Sequence, residues 1–361
     1  MTRLPPVRVV RAATAVRTGL QSLTRRMVPP EIALLELTSG FMATQATYAV
    51  ARLGIADVLA AGPRSSTEVA AELGASPDAT HRLLRACAAI RLFRERGDGR
   101  FALTPLGATL RSDTTDSMRL VVLMIGDPRY QAVWGQLPQV VQDGTPGAEA
   151  ALGAPMWEYV DQDEEFAGIF NDAMTRLSAL DWPTVEAAYD FTPYATIVDV
   201  GGGHGQLLAR MLAAAPAAKG VLVERESVIS GAEQHLREAG VLSRCRLEAG
   251  SFFDTAPDDG DLYVLRRVVH DFADDQAIAI LANLRGHMPA DARLLLMESV
   301  VPPGNEPHFA KQLDLDMLVF VGGRERTERE FASLLDRAGF RMSRIIPTIS
   351  TISLVEARPG R

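Results

Sequence analysis

Apolar positions recur along this chain at two rhythms, and the change between them divides it. From Pro30 to about Gly62, Ile32, Leu35, Leu37, Phe41, Val50, Leu53, Ile55, Val58 and Leu59 fall at helical spacing, and Gly54 and Gly62-Pro63 break the run. Ser65 to Gly74 begins with capping residues and stops at a glycine, which predicts a short helix. Ser76-Pro77-Asp78 opens a second one, and Gly97-Asp98-Gly99 turns a hairpin into Phe101-Ala102-Leu103. Helix, turn, helix and hairpin make a winged-helix pattern. Helical spacing resumes from Leu120 to about Tyr189. From Tyr194 strand and helix alternate, which predicts an α/β domain built on a parallel, doubly wound sheet. Its strands read at 197–200, 220–223, 245–248, 261–265, 292–297, 341–346 and 351–356.

These rhythms set the expected organisation. Residues 1–30 form a basic arm, 31–115 a winged-helix domain, 116–190 a helical linker that lines a substrate pocket, and 191–361 the catalytic domain. The arm carries Arg3, Arg8, Arg11, Arg17, Arg25 and Arg26 with no acid before Glu31, and lacks the apolar core of a signal peptide. It reads as loose, or as ordered only against a partner subunit. The linker holds all three tryptophans of the chain, so Trp134, Trp157, Phe166, Phe170 and Met174 are candidate pocket walls. The same stripe also suits a plain helical core.

Composition narrows the classes. A net charge of −8 gives no bulk attraction to nucleic acid or to an anionic membrane. Between Arg64 and Arg111 there are eight arginines against five acids and no dense basic stripe, so dimerisation suits this region better than DNA binding. No apolar run approaches the roughly 18 residues of a membrane span. Cys87 and Cys245 have no metal spacing and read as buried free thiols. The chain reads as cytoplasmic, and no His, Cys or carboxylate cluster with metal-ligand spacing appears in it.

The candidate chemistry starts at Ile197-Val198-Asp199-Val200-Gly201-Gly202-Gly203-His204-Gly205, a buried strand running into a glycine-rich turn and then a helix. Such a turn lets a ligand approach the main chain and meet free helix N–H groups. The spacing is G-x-G-x-G, not the G-x-G-x-x-G of a dinucleotide site. The next strand ends in Glu224, a carboxylate suited to two ribose hydroxyls. An adenosyl group without a pyrophosphate fits these features. Past the fourth strand, His270-Asp271 stands where an open sheet binds ligands, and an imidazole there can accept a proton near neutrality. Glu298, at the end of the fifth strand, and Glu325, in Gly322-Gly323-Arg324-Glu325-Arg326-Thr327, are candidate acids to orient it.

Taken together, D-V-G-G-G-H-G, Glu224, G-S-F-F-D at 250–254, R-V-V-H-D-F-A-D-D at 267–275 and G-G-R-E-R-T resemble the class I S-adenosylmethionine-dependent small-molecule O-methyltransferases, over about residues 31 to 357. The resemblance implies a homodimer that moves a methyl group to a hydroxyl of a small aromatic or enolic metabolite. It implies that Asp199, Gly201, Gly203, Glu224, Ser251, Phe252 and Arg266 serve the cofactor. It also implies that His270 is the general base, Glu298 and Glu325 position it, and Asp271 lies near the acceptor. Where plant relatives carry Asp and Met, this chain has Ser251 and Phe252; Arg266 replaces Lys, and Phe272 replaces Trp. Two other readings stay open at this point: a cofactor-binding relative that decarboxylates or hydroxylates, and a DNA-binding regulator.

Overall fold

A computed structural model describes residue 5 and residues 7–360. Arg3 therefore lies outside the described residues. The chain divides into two compact units. One comprises Gly19–Gly135 and Ala150–Leu177; the other comprises Gln136–Glu149, Ser178–Arg361 and the segment ending at Thr18.

In the first unit, the helix Ser66–Leu73 starts at a reciprocal cap between Ser65 and Glu68 and stops at Gly74, whose left-handed φ of 62° suits glycine. The helix Pro77–Ala89 starts with Pro77 behind the Ser76 cap. Strands β1 (Phe93–Glu95) and β2 (Phe101–Leu103) pair antiparallel. Val50, Ile55, Leu59, Val69, Leu84, Cys87, Phe93 and Phe101 bury one core beneath them. The winged-helix pattern is present.

In the second unit, β3 (Thr196–Val200), β4 (Lys219–Glu224), β5 (Cys245–Ala249), β6 (Leu262–Arg266), β7 (Arg293–Glu298), β8 (Phe340–Pro347) and β9 (Ser353–Pro359) form a sheet in the order β5-β4-β3-β6-β7-β9-β8. Alternate residues face opposite sides, and both sides are buried. Ile197, Leu222, Val264 and Leu295 belong to one core; Val198, Val221, Tyr263 and Leu294 belong to the other. Two covered faces explain why these strands read as continuous apolar runs.

Expectations differ from the structure at three points. The sheet is mixed, because β9 runs antiparallel to both β7 and β8. Only five residues separate β8 from β9, too few for the crossover that a parallel pair requires. The arm, expected loose or ordered only against a partner, is helical over Val7–Arg26, a stretch free of proline with five Arg and three Ala. Cys245 is half-buried rather than buried, while Cys87 is enclosed. Among the described residues, no helix is long and apolar enough to cross a membrane.

The strand order positions the site. From β3 the chain winds outward to β4 and β5, then returns to β6 on the other side of β3. The loops after β3 and β6 therefore diverge across one crevice at the carboxyl ends of the strands, the ligand position of open α/β sheets.

Candidate active site

The glycine loop is held in a shape that side chains resist. Gly201, Gly203 and Gly205 have φ of 69°, 59° and 77°. Gly201 donates its N–H to Val223 O at 2.8 Å, and Gly205 caps the helix Gln206–Ala214. A Cβ on Gly201 would lie 2.9 Å from Val268 Cγ2 and 3.5 Å from the Phe252 ring, so the loops after β3, β5 and β6 meet at this glycine. Gly202 leaves room for the Asp199 carboxylate and Leu222.

Two carboxylates flank the loop. Glu224 accepts the Gly203 N–H at 3.0 Å and the Arg225 N–H at 2.8 Å. Asp199 is buried, and its Oδ2 has no hydrogen-bond partner. Burial first, and the charge of Glu224 second, push Asp199 up to about 7. A buried carboxyl with one oxygen unpartnered, beside the glycine loop, fits a cationic, hydroxyl-bearing ligand such as the expected cofactor. Phe252 packs against Phe253 (5.3 Å between centroids) and Phe272 (5.9 Å), an aromatic floor next to Gly201. Ser251 turns inward and accepts the Phe253 N–H at 3.2 Å. Arg266 is engaged by Asp181 at 3.0 Å, and Arg267 approaches the same oxygen at 3.5 Å. Burial and the neighbouring Arg267 charge lower the pKa of Arg266. Asp181 gave no sequence signal, because it lies in a helix far from the strand that it serves.

Across the crevice, His270 sits in a short turn after β6 and is 6% exposed. Its Nδ1 lies 2.7 Å from Glu325 Oε1, a hydrogen bond, and 3.9 Å from Glu298 Oε2, which is beyond one. Glu298 holds the turn instead: its Oε1 accepts the N–H groups of Val268 (3.2 Å) and Val269 (2.9 Å). The expected pair of ring-orienting acids thus divides the work, one on the ring and one on the backbone. Nε2 lies 3.4 Å from Asp271 Oδ1. Burial is the main cause that raises all three acids, Glu325 to about 8, Asp271 to about 7 and Glu298 upward, and the nearby Arg267 charge opposes it at each.

Arg326 is the residue that sequence reasoning missed. It is 1% exposed, and its guanidinium donates to Val269 O (3.0 Å), Phe272 O (2.9 Å) and both ways to Asp274 Oδ1 (3.1 and 2.9 Å). Next to it, Arg324 donates its N–H to His270 O at 2.8 Å. Gly323 presses so close to that carbonyl that no side chain fits. The segment 323–326 therefore grips the base-bearing turn from both sides while presenting Glu325 to the ring. Arginine just after a motif acid was the available signal. The same His270, Glu298 and Glu325 bring donor atoms within 4.8 Å of one another, a grouping that sequence spacing did not reveal.

The candidate pocket walls belong to the other unit. Trp157 and Phe170 meet edge to face at 5.9 Å, and Phe170 stacks on Phe166 at 6.3 Å. Phe166 has no exposed surface and backs this cluster, with the Arg129 guanidinium 5.0 Å from its centroid. Met174 packs beside Val121, Met124 and Phe170. Trp134, partly exposed, ends the helix Pro128–Trp134.

The sheet order, glycine loop, strand-tip acid and facing imidazole define a class I methyltransferase. Comparison with known proteins agrees. Residues 134–341 match the model of the O-methyltransferase domain, and residues 35–113 match that of the O-methyltransferase dimerisation domain. The chain is 42% identical over 332 residues to the phenazine O-methyltransferase PhzM of Lysobacter antibioticus, covering 92% of this chain and 97% of that one. It is 31% identical to the phenazine-1-carboxylate N-methyltransferase of Pseudomonas aeruginosa, covering 90% and 96%. Among solved structures, human N-acetylserotonin methyltransferase in complex with S-adenosylmethionine superposes with a TM-score of 0.84 at 27% identity, covering 92% of this chain and 99% of that one. The chain belongs to the O-methyltransferase family and is an S-adenosylmethionine-dependent methyltransferase of the secondary-metabolite type.

Proposed function

We propose that this enzyme methylates a hydroxyl of a small aromatic or enolic metabolite, with His270 as general base. The observation that carries the reading is the imidazole itself: Glu325 occupies its Nδ1 at 2.7 Å, and its loop touches the glycine loop through Val268. Once ionised, as pH rises through about 8, Glu325 accepts the Nδ1 proton and so fixes the tautomer in which Nε2 is the proton acceptor. The bound cofactor supplies a sulfonium methyl that is already electrophilic. The backbone of Gly201 to Gly203 and the Glu224 carboxylate hold its methionyl and ribose parts, and Phe252 with Ser251 flanks its adenine. Arg266, braced by Asp181, and Asp199 complete that side.

At the other side, a phenol with a pKa of about 10 is barely ionised at pH 7. With the methyl passing from the sulfonium, which would leave as S-adenosylhomocysteine, Nε2 would take the proton of the acceptor oxygen and an ionised Glu325 would stabilise the imidazolium. Asp271 lies beside the nitrogen that receives the proton. Arg326 and Glu298 keep the turn in position, so little reorganisation is left for the reaction. Kinship to an enzyme of phenazines favours a planar aromatic acceptor. The enzyme acts as a cytoplasmic homodimer and uses no metal.

The test is methyl transfer from labelled cofactor to a panel of phenols, quinols and aromatic amines, after treatment with a chelator. Products labelled on oxygen are expected, at an unchanged rate after chelation. Labelling confined to nitrogen would overturn the acceptor reading, and loss of activity restored by a divalent cation would overturn the metal-free one.

A further inference from the structure

The Arg-rich start of the chain takes no part in this site, and it lies upstream of residue 35, where the dimerisation match begins. The helix Val7–Arg26 nevertheless carries an ordered pattern. Val9, Val16, Leu20 and Leu23 are 56–63% exposed, and Met27, just beyond the helix, is 75% exposed. Their positions repeat every seven residues as two alternating sets, with Ala13 filling the remaining place: 9, 16 and 23, and 13, 20 and 27. Beyond the turn at 27–29, the helix Pro30–Leu53 exposes Ile32, Leu34, Leu35, Leu37, Phe41 and Met42, a broader apolar face. A strict seven-residue apolar repeat is the signature of a seam between helices.

We propose that this stripe seats against a second copy of this chain, carrying the dimer contact N-terminally from residue 35 to residue 9. Continuity selects that occupant, because only the turn at 27–29 separates the stripe from the helix Pro30–Leu53, whose exposed apolar residues run into the segment that matches the dimerisation domain. The stripe is also narrow, two positions in seven, and the helix bears no Trp or Phe, whereas a helix lying in a lipid interface presents a broad, bulky apolar face. Arg8, Arg17, Arg25 and Arg26 are exposed off the stripe. A 20-residue helix pair is marginal by itself, but here the association would be intramolecular within an existing dimer. The inference rests on the homodimer reading given above.

The test compares the full-length protein with Leu20→Glu/Leu23→Glu, and with a chain lacking residues 1–28, by analytical ultracentrifugation. Circular dichroism checks that each is folded. A wild-type dimer whose dissociation constant rises at least tenfold in both variants is the expected result. A wild-type dimer with unchanged dissociation in both variants would overturn the seam and leave the dimer standing. A wild-type monomer would overturn both. Co-sedimentation of the wild type, but not of Leu20→Glu/Leu23→Glu, with phosphatidylglycerol vesicles at physiological salt would give the stripe to lipid instead.

Discussion

The two sides of the crevice are built by different means. The glycine-loop side is made of backbone: glycines in left-handed conformations, one buried acid and one strand-tip acid, all within residues 199–224. The imidazole side is made of side chains from three distant segments, with His270 after β6, Glu298 at the end of β7, and Glu325 with Arg326 near residue 325. Backbone conformation is dictated locally and tolerates little substitution. A side-chain cluster can be altered one member at a time, so its parts separate by experiment.

The sharpest break between the two sides should come from His270→Ala. Turnover is expected to fall about 10³-fold, within the range of general-base catalysis, with affinity for S-adenosylhomocysteine by calorimetry unchanged. A variant with full turnover would place the base elsewhere. Gly201→Ala should do the reverse, because it combines an unfavourable φ with a Cβ 2.9 Å from Val268. Cofactor affinity should drop about 10- to 100-fold, in line with backbone strain of a few kcal/mol, and wild-type affinity would sink that assignment. Arg326→Lys keeps the charge but loses the planar fork, so kcat should fall about tenfold with KM for the cofactor preserved. A matching loss in both would make Arg326 a general structural residue.

The smallest effect concerns pH. Asp199 and Asp271, near 7, and Glu325, near 8, keep their protons in the folded protein at a pH where the unfolded chain has lost them. Their contribution to stability is therefore full below about pH 4 and fades as pH rises to about 8. Glu325→Gln should flatten this fall, narrowing the difference in Tm between pH 5 and pH 8 by roughly 1–2 °C, for about 1 kcal/mol in a chain of this size. An unchanged slope would show that Glu325 is ionised throughout.

What the sequence disclosed follows the same division. The G-x-G-x-G loop and Glu224 were legible because strand, turn and helix are encoded within about thirty residues. His270, Glu298 and Glu325 were found separately, but neither the 2.7 Å bond to Glu325 nor the backbone role of Glu298 follows from spacing. Asp181 was silent and Arg326 was passed over within its own motif, since a buried ion pair between remote segments leaves no local period. The antiparallel β9 was hidden for another reason: a short connection after a helix was read as continued alternation, although its length already demanded a hairpin.

The unpartnered carboxyl of Asp199 has a thermodynamic consequence. A positively charged ligand settling next to a half-protonated acid shifts it toward the anion, so docking expels protons to the solvent. The heat of cofactor binding near neutrality should then vary with the ionisation enthalpy of the buffer, and affinity should tighten as the medium turns alkaline.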